Sequence, residues 1–180
     1  LWWMLRWLGH ESVAVLDGGW PKWDREKRPC TPEEPRPSAI DFAPRTDGSG
    51  DTGRVDCAYV LAHLERQDML IVDARSPERF RGEAEPIDPV AGRIPGAVCR
   101  FFKQNLDAEG CFRPAAELRA DFEAVLGAHR PEHAVNSCGS GVSACHNLLA
   151  MEIAGLTGSR LYPGSWSEWC ADPARPVARG

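Results

Sequence analysis

One cysteine in this sequence lies where a predicted strand passes through a glycine-containing turn into a predicted helix. Residues 134–155 read AVNSCGSGVSACHNLLAMEIAG, and Cys138 is the first residue of the turn. Such a turn aims backbone N–H groups and the positive end of the helix at the sulfur, which favours the thiolate. Because the thiolate is the nucleophilic form of cysteine, Cys138 is the first candidate for covalent chemistry. A buried, unreactive thiol is the alternative that this stretch alone leaves open.

The other residues of the turn are typical of an anion-binding loop. Gly139 and Gly141 accept positive φ angles and let the backbone approach a bound anion closely. Ser140 and Ser143 add hydroxyl donors. The helix that follows is predicted to carry apolar residues at Val142, Cys145, Leu148, Leu149 and Ile153.

A second group of candidate residues follows another predicted buried strand, DMLIVDAR (68–75). Arg79 lies just after it, and its guanidinium could hold a carboxylate or a sulfur oxyanion by paired, charge-assisted hydrogen bonds. A solvated charge on a helix face is the alternative for this arginine. Asp73 is predicted to form local hydrogen bonds, and Arg75 to pair with Asp73 or with a backbone carbonyl. Both are therefore assigned to structural support.

The elements that position these residues alternate between strands and helices. Short strands are also predicted at residues 97–99 and 159–163, and helices at residues 55–65, at residues 114–129 and at the Trp-containing end. Another helix is predicted to open with Ser76 as its cap and Pro77 at its first position. This order predicts an α/β fold with a mostly parallel central sheet and helices on both faces. Ligands of such sheets bind beyond the carboxyl ends of the strands, where Cys138 and Arg79 are expected.

An internal repeat predicts the domain organisation. With an ungapped shift of 146 positions, residues 1–23 align with residues 147–169, and both copies read as apolar helix, glycine stop, strand, glycine turn and Trp-x-x-Trp helix. The aligned identities are Gly9 with Gly155, Gly18 with Gly164, Trp20 with Trp166, and Trp23 with Trp169. We therefore predict that residues 1–28 are the C-terminal remnant of a first domain, residues 29–53 a Pro- and Gly-rich linker, and residues 54–180 a complete second domain. On this interpretation the chain is a fragment that begins inside a folded unit.

The composition and the net charge argue against some classes of binding partner. The chain has 180 residues, of which 43% are hydrophobic and 26% are charged, as in ordinary globular domains. A net charge of -5 argues against nucleic acid or an anionic membrane as the main partner, although a small anion could bind locally. The seven cysteines include no CxxC pair, so neither a disulfide framework nor a metal site is indicated. Reduced thiols in the cytoplasm are the simpler interpretation.

Three chemistries use a cysteine in a loop of this kind. A cysteine-based phosphatase needs an arginine six residues after the cysteine, where this chain has Ala144. A disulfide oxidoreductase needs a CxxC motif, and Gly141 occupies that position. Sulfur transfer needs only a nucleophile and an oriented donor anion, since the thiolate takes the sulfur and the loop amides hold the persulfide. Sulfur transfer therefore fits these residues best.

The same segments resemble a known family, the tandem rhodanese-domain sulfurtransferases, which include thiosulfate and 3-mercaptopyruvate sulfurtransferases. CGSGVSA (138–144) is similar to the active loop of the mercaptopyruvate type, usually CGSGVTA. IVDARSPERFRG (71–82) resembles the segment whose arginine before phenylalanine binds the donor, and that arginine falls on Arg79. Similar segments elsewhere are VLDGGWPKW (15–23), AGRIPGA (91–97) and YPGSWSEW (162–169).

The resemblance implies a rhodanese-like fold and a sulfurtransferase that moves sulfur from thiosulfate or 3-mercaptopyruvate to cyanide or a thiol. Cys138 would form the persulfide, and Arg79 would bind the small anionic donor. The loop residues assigned to the same binding site are Gly139, Ser140, Gly141, Val142 and Ser143. No metal or organic cofactor, no nucleic acid and no membrane is implied.

The chain departs from the family pattern at the donor site. Ile87 occupies the place of a second donor-binding arginine in the mercaptopyruvate enzymes. Gly139 and Ser140 are neutral where rhodaneses proper carry basic residues. In the mercaptopyruvate enzymes the loop serine is also linked to a His and an Asp of the first domain. A catalytically inactive rhodanese-like module with a binding or regulatory role is therefore kept as the alternative.

Overall fold

The computed structural model describes residues 1–39, 41–44, 53–64, 66 and 68–180. Residues 40 and 45–52 of the predicted linker and Glu65, the predicted last residue of a helix, lie outside these residues. The chain forms two compact units: residues 1–52 with 107–112, and residues 53–106 with 113–180. The domain boundaries drawn from the repeat stay a prediction.

The first unit carries two short helices, α1 (Trp2–Trp7) and α2 (Gly19–Arg25). The Trp3 and Trp7 rings stack with their centroids 5.9 Å apart. Residues 10–16 have no regular structure, so the strand predicted between these helices is not formed. A strand depends on a hydrogen-bonded neighbour, and none of the described residues of this unit pairs with that segment. The prediction of a strand in the first copy of the repeat is therefore wrong.

The second unit is built on a four-stranded parallel sheet in the order β2-β1-β3-β4. The strands are β1 (Leu70–Asp73), β2 (Val98–Cys99), β3 (Ala134–Ser137) and β4 (Arg160–Leu161). Every residue of β1 and β3 is buried, as is usual for the inner strands of a covered parallel sheet. Asp73 pairs in register with Cys99 on one side and with Ser137 on the other. The carboxyl ends of β1, β2 and β3 therefore lie at one level.

Helices cover both faces of this sheet, which confirms the predicted α/β fold. Ile71 and Val135 lie in one apolar cluster with residues of α3 (Cys57–Leu64) and α7 (Ser165–Cys170). The next residue of β3 points to the opposite face, where Asn136 contacts Met151. Met151 belongs to α6 (Ala144–Ile153), and α5 (Ala115–Leu126) packs against α6. The remaining α-helix, α4 (Pro77–Arg81), follows β1, and two short 3-10 helices span Phe102–Asn105 and Pro131–His133.

Two local predictions about these helices need correction. The sequence pattern predicts Val142 in the helix after Cys138, but α6 begins at Ala144 and Val142 is 76% exposed in the preceding loop. Ser76 occupies the N-cap position of α4, yet its side chain makes no capping hydrogen bond. Pro77 does stand at the first helical position. The buried residues of α6 follow a helical spacing and include polar Asn147: Ala144, Asn147, Leu148, Ala150 and Met151.

None of the helices in the described part of the chain is long and apolar enough to span a bilayer.

Candidate active site

The candidate site lies at the carboxyl ends of β1 and β3. In the order β2-β1-β3-β4 the chain leaves β1 toward one side of the sheet and β3 toward the other. Such a switch point opens a crevice at the carboxyl ends of the two strands, where ligands of open α/β sheets bind. The segment that carries Arg79 follows β1, and the loop that begins at Cys138 follows β3. Sequence and topology therefore direct both candidates to the same edge.

Arg79 and the Cys138 loop do lie side by side. A Cβ atom built on Gly139 would lie 3.5 Å from each terminal nitrogen of the Arg79 guanidinium. The arginine side chain is 17% exposed, so most of it is covered by the protein. The arginine assigned to donor binding thus lies against the residue that directly follows the candidate nucleophile.

The Cys138 main chain is fixed by the start of α7. Its N–H donates to Oγ of Ser165 at 3.1 Å, and its carbonyl accepts from the N–H of Trp166 at 3.0 Å. The carbonyl of Gly139 accepts from the N–H of Ser167 at 2.9 Å. Cys138 itself is 2% exposed. The first turn of α7 therefore holds the loop through main-chain and hydroxyl hydrogen bonds.

Unpaired backbone donors follow the cysteine. No acceptor among the described residues takes a hydrogen bond from the N–H groups of residues 139–143. The ten-residue helix α6 begins directly afterwards, with Ser143 at its N-cap position. Consecutive unpaired N–H groups at the positive end of a helix form a suitable environment for an anion.

The turn is possible because residue 141 is a glycine. Gly141 has φ 77°, and a Cβ built on it would lie only 2.7 Å from the carbonyl oxygen of Pro163. Both the backbone conformation and the close approach therefore exclude a side chain. Ser140 and Val142, on either side, are exposed, and Ser143 is half-buried.

We predict that Gly141→Ala lowers the free energy of unfolding by about 2–4 kcal/mol, because the clash with Pro163 adds to the cost of a positive φ. Urea denaturation followed by circular dichroism measures this change. Gly96→Ala is the matched control, since Gly96 has φ 75° and a Cβ there meets no atom within 4 Å. Equal destabilisation by the two substitutions would show that the contact with Pro163 carries no cost.

Two carboxylates hold Arg79 in place. Nη2 lies 2.6 Å from Oε1 of Glu85 and 3.2 Å from Oδ2 of Asp88, and Nε also donates to Glu85. Nη1 has no partner among the residues that the structure describes. The carboxylates thus fix one edge of the guanidinium and leave Nη1, beside Gly139, able to donate to a ligand.

Arg75 belongs to the same ion-pair network as Arg79, since both contact Glu85. It donates to Asp73 at 2.7 Å and to the carbonyl oxygen of Gly92 at 2.8 Å, the two kinds of partner expected from the sequence. It also lies 3.3 Å from Glu85 and covers the Trp166 ring at 4.9 Å from the centroid. Both Arg75 and Asp73 are 3% exposed, so they form a buried ion pair and do not reach a ligand.

Four supporting residues were not identified from the sequence: Glu85, Asp88, Ser165 and Ser167. Burial favours the protonated form of Glu85, but hydrogen bonds from Arg79 and from the N–H groups of Asp88 and Ile87 outweigh it and hold the Glu85 pKa below its usual value. Glu85 and Asp88 lie three positions apart among prolines, a pattern typical of a solvated loop. Only the fold shows that they meet Arg79.

Neither Ile87 nor Cys145 adds a charge to the site. Ile87 is 74% exposed and supplies no positive charge in place of the missing arginine. Burial raises the pKa of Cys145, whose thiol donates to the carbonyl of Gly141 at 3.3 Å. This second thiol is therefore held neutral.

The described residues include no group of three or more His, Cys, Asp and Glu side chains arranged to hold a metal ion.

Comparisons with known proteins agree with this arrangement. The rhodanese-like domain model matches residues 56–172. Over 180 residues the chain is 46% identical to a Pseudomonas aeruginosa protein named probable 3-mercaptopyruvate sulfurtransferase, covering 99% of this chain and 62% of that protein. It is 35% identical over 185 residues to thiosulfate sulfurtransferase of Bos taurus, covering 100% of this chain and 61% of that protein. The chain thus spans about three fifths of the length of these relatives.

A solved structure supports the fold alone. The anaerobic ergothioneine biosynthesis enzyme from Chlorobium limicola superposes with a TM-score of 0.86 at 23% sequence identity, covering 99% of this chain and 44% of that chain. The domain match and the two curated relatives confirm the resemblance predicted from the loop and strand motifs. This chain belongs to the rhodanese-like domain family.

Proposed function

We propose that this chain carries a sulfurtransferase centre in which Cys138 is the nucleophile and Arg79 binds the donor. The thiolate attacks the outer sulfur of thiosulfate or the sulfur of 3-mercaptopyruvate and becomes a persulfide. Thiosulfate loses its S–S bond, and sulfite leaves with the electron pair. Mercaptopyruvate loses its C–S bond, and the pyruvate enolate takes up a proton.

The second half-reaction restores the thiolate. Cyanide or an acceptor thiolate attacks the outer sulfur of the persulfide, and the Cys138 sulfur leaves with the electron pair of the broken S–S bond. We expect the loop N–H groups, which no described acceptor takes up, to stabilise negative charge on the sulfur in both steps.

The observation that carries this proposal is the row of unpaired N–H groups beside an arginine whose Nη1 is also unpaired within the described residues. An inert core cysteine needs neither feature. The names of the relatives point to the same chemistry, since they include both 3-mercaptopyruvate and thiosulfate sulfurtransferases.

Mass spectrometry tests the persulfide directly. Incubation of the chain with thiosulfate or 3-mercaptopyruvate is expected to add one sulfur atom to the peptide that contains Cys138, and cyanide is expected to remove it. Absence of the added sulfur with both donors would overturn the proposal.

Arg79→Lys is expected to raise the donor KM about tenfold and to change kcat less, because lysine keeps the charge but loses the paired, planar donors. Steady-state thiocyanate formation at varied thiosulfate concentration gives both constants. Arg81→Lys, two positions along the same helix, is the control, since Glu83 at the surface is the only ion-pair partner of Arg81 within the described residues. Unchanged kinetics for Arg79→Lys would remove Arg79 from the donor site.

A binding or regulatory module without turnover is the second candidate, favoured by the 2% exposure of Cys138. The two candidates predict different outcomes in the same experiment. A catalytic centre forms the persulfide and passes the sulfur on to cyanide, whereas a binding module takes up no sulfur from either donor.

A further inference from the structure

We infer that Ser167 is a positioning residue that couples Arg79 to the Cys138 loop through Asp88. The inference rests on the proposed function, because it concerns the orientation of the donor-binding arginine relative to the nucleophile. Ser167 acts through the groups that it holds, the main chain of Gly139 and the carboxylate of Asp88.

Ser167 contacts both halves of the site. Its main-chain N–H donates to the carbonyl of Gly139 at 2.9 Å, the residue directly after the nucleophile. Its hydroxyl donates to Oδ1 of Asp88 at 2.6 Å. A hydroxyl donor to a carboxylate at this separation forms a strong, charge-assisted hydrogen bond. One residue therefore holds the cysteine loop with its main chain and the carboxylate with its side chain.

Asp88 transmits this contact to the arginine. Its other oxygen, Oδ2, lies 3.2 Å from Nη2 of Arg79, and the carboxylate side chain is 7% exposed. Glu85 binds the same guanidinium on Nε and Nη2, but it has no described hydrogen bond to the cysteine loop. The path through Asp88 and Ser167 thus sets where Nη1 stands relative to the loop amides.

Within the described residues, the Ser167 hydroxyl bonds to Asp88 and to no group of the helix that carries it. Ser167 lies in the first turn of α7, but the N-cap position belongs to Gly164. The hydrogen bond that anchors Gly139 comes from the main chain and survives any substitution except proline. Replacing the hydroxyl alone therefore removes the link to Asp88, without a change in net charge and with the anchor to the loop retained.

The test compares two alkylating reagents of similar size, iodoacetate, which is an anion, and iodoacetamide, which is neutral. The rate of modification of Cys138 is followed by mass spectrometry of its peptide, and the ratio of the two rates reports how well Arg79 attracts an anion to the thiolate. Arg79→Gln is expected to lower this ratio about tenfold, the effect of about 1.4 kcal/mol. A general loosening of the fold changes both rates and leaves the ratio unchanged.

Ser167→Ala is expected to lower the ratio about threefold to fivefold, while Ser167→Thr keeps the hydroxyl and a ratio near that of the unchanged chain. Ser159→Ala is the control, because Ser159 is also half-buried but has no hydrogen bond within the described residues. An unchanged ratio in Ser167→Ala, together with a lowered ratio in Arg79→Gln, overturns this inference and leaves the proposed function standing. If neither reagent modifies Cys138, the proposed function fails and the inference fails with it.

Discussion

Replacing Cys138 by serine is expected to lower the rate of sulfur transfer by roughly three orders of magnitude or more, because a serine hydroxyl is not ionised near neutral pH and forms no persulfide. The substitution preserves the main-chain hydrogen bonds of residue 138 to Ser165 and Trp166, so the loop keeps its anchor. Thiocyanate formation from thiosulfate and cyanide measures the rate, and mass spectrometry shows whether sulfur is bound.

Cys30→Ser is the matched control for this experiment. Cys30 is an exposed thiol outside the unit that contains the candidate site, and its sulfur contacts only the carbonyl of Arg28 among the described residues. Its replacement is expected to leave the rate unchanged. If Cys138→Ser kept the rate of the unchanged chain, Cys138 would not be the nucleophile, whatever the control shows.

The largest expected effect on stability comes from Arg75→Ala, which should lower the free energy of unfolding by about 3–5 kcal/mol. The substitution leaves the carboxylate of Asp73 buried without its charged partner and also removes the side chain that covers the Trp166 ring. An unpaired buried charge costs much more than an exposed one, because no water solvates it. Urea denaturation of the purified variant gives the change.

Arg81→Ala supplies the comparison. Arg81 also pairs with a carboxylate two positions away, Glu83, but both side chains are exposed to solvent. Its loss is expected to change the unfolding free energy little, since exposed ion pairs are weak. If the two substitutions destabilise the chain equally, burial of the Arg75 pair contributes nothing to stability.

Much of the fold could be predicted from the sequence because its signals are local. The apolar run Leu70–Val72 before Asp73 marks an inner strand, and glycines after a strand mark the turn at Cys138. The alternation of such strands with helices leaves few topologies besides a parallel sheet. The same local signals placed Cys138 and Arg79 at one edge of the sheet.

The supporting contacts could not be predicted in this way, because they join segments far apart in the chain. Ser167 meets Asp88 across 79 positions, and no spacing rule connects them. Val142 shows the opposite error, since an apolar residue in helical spacing is exposed when the helix begins two positions later. The strand predicted from the first copy of the repeat failed because a propensity for extended structure does not supply a partner strand.

The edge strands of the sheet limit how the second unit can associate with other molecules. β2 and β4, the outer strands, have only two residues each, and Arg54 forms a further bridge to Leu161 on the β4 side. An extended peptide added at either border would find few free main-chain groups to pair with. Recognition of another protein by this unit should therefore depend on side chains and loops, and its short borders offer little template for aggregation.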